Sequence, residues 1–141
     1  MREFVKVVDV AAPPERAWDV LADLVRWPEW TASMSRLTPL DAAPLGVGSR
    51  VRVEQPKLRP IVMEIVSWEP GRGFAWRGRQ PGVTVFADHR LSPTPGGCRL
   101  TLSLRYGGFL GPIAVLLARR LTERYMTMEA EGLERRCEGR G

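Results

Sequence analysis

The sequence predicts an α+β domain in which one antiparallel sheet curls around a single long C-terminal helix. Three features lead to that expectation. Apolar residues recur at a period of two through six successive segments between residues 35 and 106. The segments are joined by stretches rich in glycine and proline that are too short for crossover helices, so consecutive strands are antiparallel neighbours. A run of helical period then closes the chain from Gly111 to about Cys137, and it alone is large enough to cover one face of such a sheet.

Each element follows from its residues. Phe4 to Val10 alternates loosely and is rich in valine, which marks a first strand. Ala11-Ala12-Pro13-Pro14 ends it, and proline suits the first turn of a helix. From Glu15 onward Trp18, Leu21, Ala22 and Val25 recur at three- and four-residue steps, one apolar helical face, with Glu15 at the positive end of the helix dipole. Pro28 interrupts, so Trp27 to Ser33 is expected as a second short helix or a turn beyond a kink. Ser35 to Leu40 is a weak strand, ended by Pro44, Gly46 and Gly48. Val51 and Val53 alternate with Arg50, Arg52 and Glu54, a strand with one wet face. Ile61, Met63 and Ile65 point one way, and Val62, Glu64 and Val66 the other. Pro70-Gly71-Arg72-Gly73 is a turn by composition, and Phe74 to Arg79 and Val83 to Leu91 follow. In the latter, Val85, Ala87, His89 and Leu91 share a side. After Pro93-Thr94-Pro95-Gly96-Gly97, Leu100, Leu102, Leu104 and Tyr106 alternate without a break with Arg99, Thr101, Ser103 and Arg105. In the final helix Ala114, Leu117, Leu121, Tyr125, Met128 and Gly132 form the expected inward stripe. A helix of about 26 residues is about 39 Å long and must lie across several strands.

Composition narrows the function classes. The chain has 141 residues, the usual size of one domain, and the expected domain spans 1–141 with its core at 2–137. Net charge is +5, with 21 Lys and Arg against 16 Asp and Glu; all but Lys6 and Lys57 of the cations are arginine. These are scattered and interleaved with acids, whereas nucleic-acid surfaces cluster their cations with stacking aromatics, so no nucleic-acid partner is expected. No leader pattern opens the chain, and Phe109 to Ala118, the longest apolar run, is far short of the roughly 20 residues of a membrane span. A cytoplasmic monomer or homodimer is expected, with peripheral membrane contact open only through 109–120. Cys98 and Cys137 are too few for a disulfide framework or a zinc site, and neither a metal nor another cofactor is expected.

The run from Val10 to Trp30, VAAPPERAWDVLADLVRWPEW, resembles the opening of the START/Bet v 1-like (SRPBCC) superfamily, in particular its polyketide cyclase/dehydrase-like branch. Pro13, Trp18, Leu21, Asp23, Trp27, Pro28 and Trp30 match the branch's pattern there. Ile65 to Gly78 (IVSWEPGRGFAWRG) resembles the family's strand-turn-strand, and HRLSP from His89 followed by GGCRL from Gly96 resembles its next hairpin, with Cys98 where threonine is frequent. The resemblance covers residues 2–137. It implies a helix-grip fold, a curved sheet of about seven strands in β-α-α-β6-α order wrapped around the long helix, with a deep internal cavity. It also implies an apolar ligand of lipid, aromatic or polyketide type, and in some members aromatase or cyclase chemistry.

Read from the residues alone, the inward side chains mix large (Trp76, Met63, Tyr106, Tyr125, Met128) with small (Ala87, Gly78, Ala114, Gly132), which fits either a cleft or a filled core. The expected ligand-binding set is Trp27, Trp30, Met63, Ile65, Trp76, Ala87, His89, Leu104, Tyr106, Leu117, Leu121 and Tyr125. Trp27 and Trp30 are assigned to the pocket entrance by the resemblance. His89, the one histidine, is either a proton-transfer group for an enolising ligand or a wall residue with one structural hydrogen bond. Tyr106 and Tyr125 are the other candidate catalytic or orienting groups. No nucleophile elbow, phosphate loop or HExxH occurs. Three function classes stay open: a binding protein with little or no catalysis, a cyclase or aromatase acting on a poly-β-ketone, and a regulatory protein-interaction module.

Overall fold

The computed structural model describes residues 3–42 and 44–139. Strand β1 (Glu3–Val10) leads into α1 (Pro14–Ala22) and a 3-10 helix (Leu24–Glu29). Strands β2 (Arg36–Pro39), β3 (Arg50–Glu54), β4 (Ile61–Glu69), β5 (Gly73–Gln80), β6 (Val83–Thr94) and β7 (Gly97–Gly107) follow, and α2 (Gly111–Cys137) ends the chain. The predicted order therefore holds, although the second short helix covers Leu24–Glu29 instead of Trp27 to Ser33 and takes Pro28 inside it. The sheet has the order β1-β7-β6-β5-β4-β3-β2 with every neighbouring pair antiparallel, a six-strand meander closed by β1 along β7.

Alternation decides the inner face. Val51, Val53, Met63, Ile65, Leu91, Leu100 and Leu102 are buried between sheet and helices, while Arg50, Arg52, Glu64 and Arg99 are exposed. One strand breaks its own period. The register of β4 against β5 shifts between Ile65 and Ser67, and the extra residue of this bulge turns Trp68 to the side of Phe74, its partner across the pair. There Trp68 meets the edge of Trp18 at 5.0 Å between ring centroids and Phe74 at 5.5 Å.

The densest packing lies under α1 and the 3-10 helix. Trp27 is wholly buried and its Nε1–H donates to the Leu21 carbonyl at 2.9 Å, satisfying the only polar atom of its ring. Its indole packs against Trp30, Phe74, Trp76 and His89. The C-terminal half of α2 joins this core through Ala130, Leu133 and Cys137, and Gly132 lets the helix backbone pass close to the Trp30 carbonyl. A Cβ at 132 would stand 2.0 Å from that oxygen.

α2 keeps most of its expected inward stripe: Ala114, Leu121, Tyr125 and Gly132 lie on the sheet side and Leu117 does not. Its buried residues are Gly111, Thr122, Met126, Ala130, Gly132, Leu133 and Cys137, while Leu117 is 80% exposed. The neighbouring row of Thr122, Met126, Ala130 and Leu133 is buried beside that stripe, so the inward face is broader than expected and leaves Leu117 outside it.

Candidate functional site

Between the N-terminal half of α2 and the inner face of β3 to β7 lies a cavity of about 410 Å³. Its body is apolar: Val53, Ile61 and Met63 come from β3 and β4, Trp76, Val85 and Ala87 from β5 and β6, Leu104 from β7, and Ala114, Ala118, Leu121 and Met126 from α2. Gln55, Lys57, Leu58 and Arg59 of the β3–β4 connection, with Gln80 and Val83 at the β5–β6 turn, form its rim.

Two polar pairs interrupt the apolar wall. At one, His89 of β6 sets Nε2 3.3 Å from Oε2 of Glu129 on α2; their side chains are only 4% and 12% exposed. The other ring nitrogen, Nδ1, stands 3.2 Å from the Phe74 carbonyl. A carbonyl oxygen can only accept, so Nδ1 carries a hydrogen and donates it. Nε2 then faces the Glu129 carboxyl, so a nitrogen and an oxygen that can each hold a proton meet at the cavity wall. The imidazole is fixed in orientation by stacking on Phe74, with centroids 4.3 Å apart and planes 12° from parallel, and by the edges of Trp27 and Trp76. At the second pair, the Tyr106 hydroxyl lies 2.7 Å from Thr122 Oγ1. Burial pushes the Tyr106 phenol above its ordinary value, against the opposing pull of the Thr122 hydrogen bond.

Of the residues singled out from sequence, Met63, Trp76, Ala87, His89, Leu104, Tyr106, Leu121 and Tyr125 come together on the cavity wall. Four do not. Trp27, Trp30 and Ile65 lie behind the wall in the solid core; the 3-10 helix and the residue that follows it carry the two indoles into that core instead of over the entrance. Leu117 points to solvent from the edge of the inward face of α2. Tyr125 is tied down: its hydroxyl donates to the Pro56 carbonyl and so pins the rim loop to α2. Glu129 and Thr122 were missed. A signal existed, since both share the row Ala118, Thr122, Met126, Glu129 and Leu133 at steps of 4, 4, 3 and 4, yet a glutamate inside an apolar row reads as a solvated position. No group of three or more His, Cys, Asp or Glu among the described residues is placed to hold a metal ion.

The match to known families follows this geometry. The family described as "polyketide cyclase / dehydrase and lipid transport" matches residues 1–138. The chain belongs to this family. Among curated relatives, an uncharacterised protein of Mycobacterium tuberculosis is 36% identical over 108 residues, covering 72% of this chain; the chain spans only 63% of that relative's length. A second M. tuberculosis protein, named as a toxin, is 31% identical over 121 residues, covering 81% of this chain and 83% of its own. Among solved structures, the Zhui aromatase/cyclase of a Streptomyces species superposes with a TM-score of 0.82 at 19% identity, over 99% of this chain and 94% of its own. A Thermus thermophilus protein does so at 0.78 and 19%, over 98% of both chains. At such identities the superpositions speak for the helix-grip fold of this polyketide cyclase/dehydrase-like member.

Proposed function

We propose that this family member binds an apolar small molecule, aromatic or polyketide-like, in the cavity between sheet and α2. The observation that carries the reading is the void itself: about 410 Å³ with a mainly apolar wall and two internal polar pairs. Ligand pockets commonly fall between about 300 and 1,000 Å³ and use few polar groups to orient what they hold. Here Tyr106–Thr122 and His89–Glu129 offer hydrogen bonds to a carbonyl or phenol, while Met63, Trp76 and Leu104 contact its apolar body. Thermal melting with flavonoids, fatty acids and sterols tests this, since a bound ligand raises the melting temperature by mass action. At least one class is expected to stabilise the wild type and to fail with Ala87→Phe, which fills the void. If no class stabilises the wild type, the reading is wrong.

The His89–Glu129 contact on the cavity wall favours a second reading, cyclisation of a poly-β-ketone. The basic member of the pair would take a proton from a carbon between two carbonyls, the resulting enolate carbon would bond to a second carbonyl carbon, and the pair would return the proton to the new alkoxide. Incubation with a reactive poly-β-ketone should then alter the product distribution, and His89→Ala and Glu129→Gln should each abolish the change. An unaltered distribution with the wild-type chain removes this reading and leaves binding intact.

A further inference from the structure

We propose that the open end of the cavity docks on an anionic membrane surface, with the first turns of α2 seated among the lipid headgroups. Phe109, Ile113, Leu116 and Leu117 are 83%, 53%, 77% and 80% exposed, an unusual set of large apolar side chains to leave together in water. Ile113, Leu117, Arg120 and Arg124 follow at steps of 4, 3 and 4 along one helical face, with Leu116 beside them. The face is therefore apolar for two turns and then cationic, which suits a helix whose leading turns enter the acyl boundary while its arginines meet phosphates. Arg119 is paired with Glu123, the one acid on these turns, and Arg120 and Arg124 have no ion pair among the described residues.

The same chemistry continues across the mouth. Leu58 is exposed between Lys57 and Arg59, and all three line the cavity rim. The Leu110 N–H donates to the Gly82 carbonyl at 2.9 Å, holding the start of α2 against the β5–β6 turn, whose Gln80 and Val83 line the cavity rim. Ala114, Ala118 and Leu121 of the same helical turns form its wall. Apolar groups ringed by cations, with the single local carboxylate already paired, complement an anionic lipid surface. No helix among the described residues is long and apolar enough to cross a bilayer, so the contact is peripheral. Passage of an apolar ligand between bilayer and cavity would be its use. That use rests on the binding reading, whereas the docking itself does not.

Sedimentation of the full chain with vesicles tests the proposal. Binding is expected to vesicles in which a third of the phosphatidylcholine is replaced by phosphatidylglycerol, and to be weak with phosphatidylcholine alone. Replacing both Leu116→Glu and Leu117→Glu should lower partitioning at least about ten-fold. Replacing both Arg120→Glu and Arg124→Glu should remove the preference for phosphatidylglycerol, roughly five-fold for each arginine. Neither pair should change the melting temperature, because all four positions lie on the solvent face. The cavity-filled Ala87→Phe chain should bind vesicles as the wild type does, so loss of docking and loss of ligand binding are read separately. Absence of sedimentation with anionic vesicles, as for a face that fits an acidic protein instead, overturns the proposal; so does unchanged sedimentation of the leucine pair.

Discussion

At the scale of single residues, the cavity depends on a few side chains whose surroundings give them one permitted state. His89 was legible because strict alternation along its strand put it beside Ala87 and Leu91 on the inner face. Its partner was not, because a glutamate on a charged helix declares nothing until the helix is docked. Tyr106 yields a pH dependence with a definite sign. Its phenol is raised by burial, so the fold binds that proton more tightly than the unfolded chain does. The associated stability is complete below the ordinary tyrosine value of about 10 and is lost as pH rises through the higher folded value. Urea unfolding on either side of that pH should show the loss in the wild type and a smaller one in Tyr106→Phe. Gly132 is a steric test of the same packing. Gly132→Ala is expected to cost about 1–3 kcal/mol, because the opposing atom is the Trp30 backbone oxygen and cannot rotate away. Equal melting temperatures for the two chains would contradict the close approach.

At the scale of elements, strand order, turn positions and both ends of α2 were readable, while the full width of the inward face of α2 and the β4 bulge were not. A helix of this length offers several faces with apolar content. Here the row of Ala118, Thr122, Met126, Ala130, Leu133 and Cys137 turns inward beside Ala114, Leu121 and Tyr125, and Leu117 is left in water. Met126→Ala should therefore cost about 2–4 kcal/mol in denaturant unfolding, while Leu117→Ala should stay within about 0.5 kcal/mol. The reverse ranking would mean that the helix is turned the other way. The bulge escaped notice because a single inserted residue leaves the composition of a strand intact and changes only its phase. Its consequence is concrete, since it adds Trp68 to the aromatic cluster of Trp18 and Phe74.

At the scale of the whole molecule, one end is fastened and the other left open. Arg136 pairs with Glu29 at 2.7 Å, Arg16 donates to the Arg136 carbonyl at 3.1 Å, and the Ala11 N–H donates to Glu138 at 2.8 Å. These contacts tie the far end of α2 to the early helices and β1, over the core that encloses Cys98 and Cys137. Burial pushes the Cys137 thiol up to about 12, against a smaller pull from Arg16, and burial also raises Cys98. Neither thiol should react with an alkylating agent in the native protein at neutral pH, and both should react once urea unfolds it. Rapid native labelling, read by mass, would show that the fastened end opens readily. What the amino-acid order determined unaided was the kind and succession of elements, since side-chain periods of two and 3.6 are properties of the local backbone. Which face of α2 turns inward, which tryptophans fill the core, and that a void remains beside His89 and Glu129 were decided only in the tertiary structure. Those outcomes depend on surfaces far apart in the chain being packed at once, and no local pattern records how well they fit.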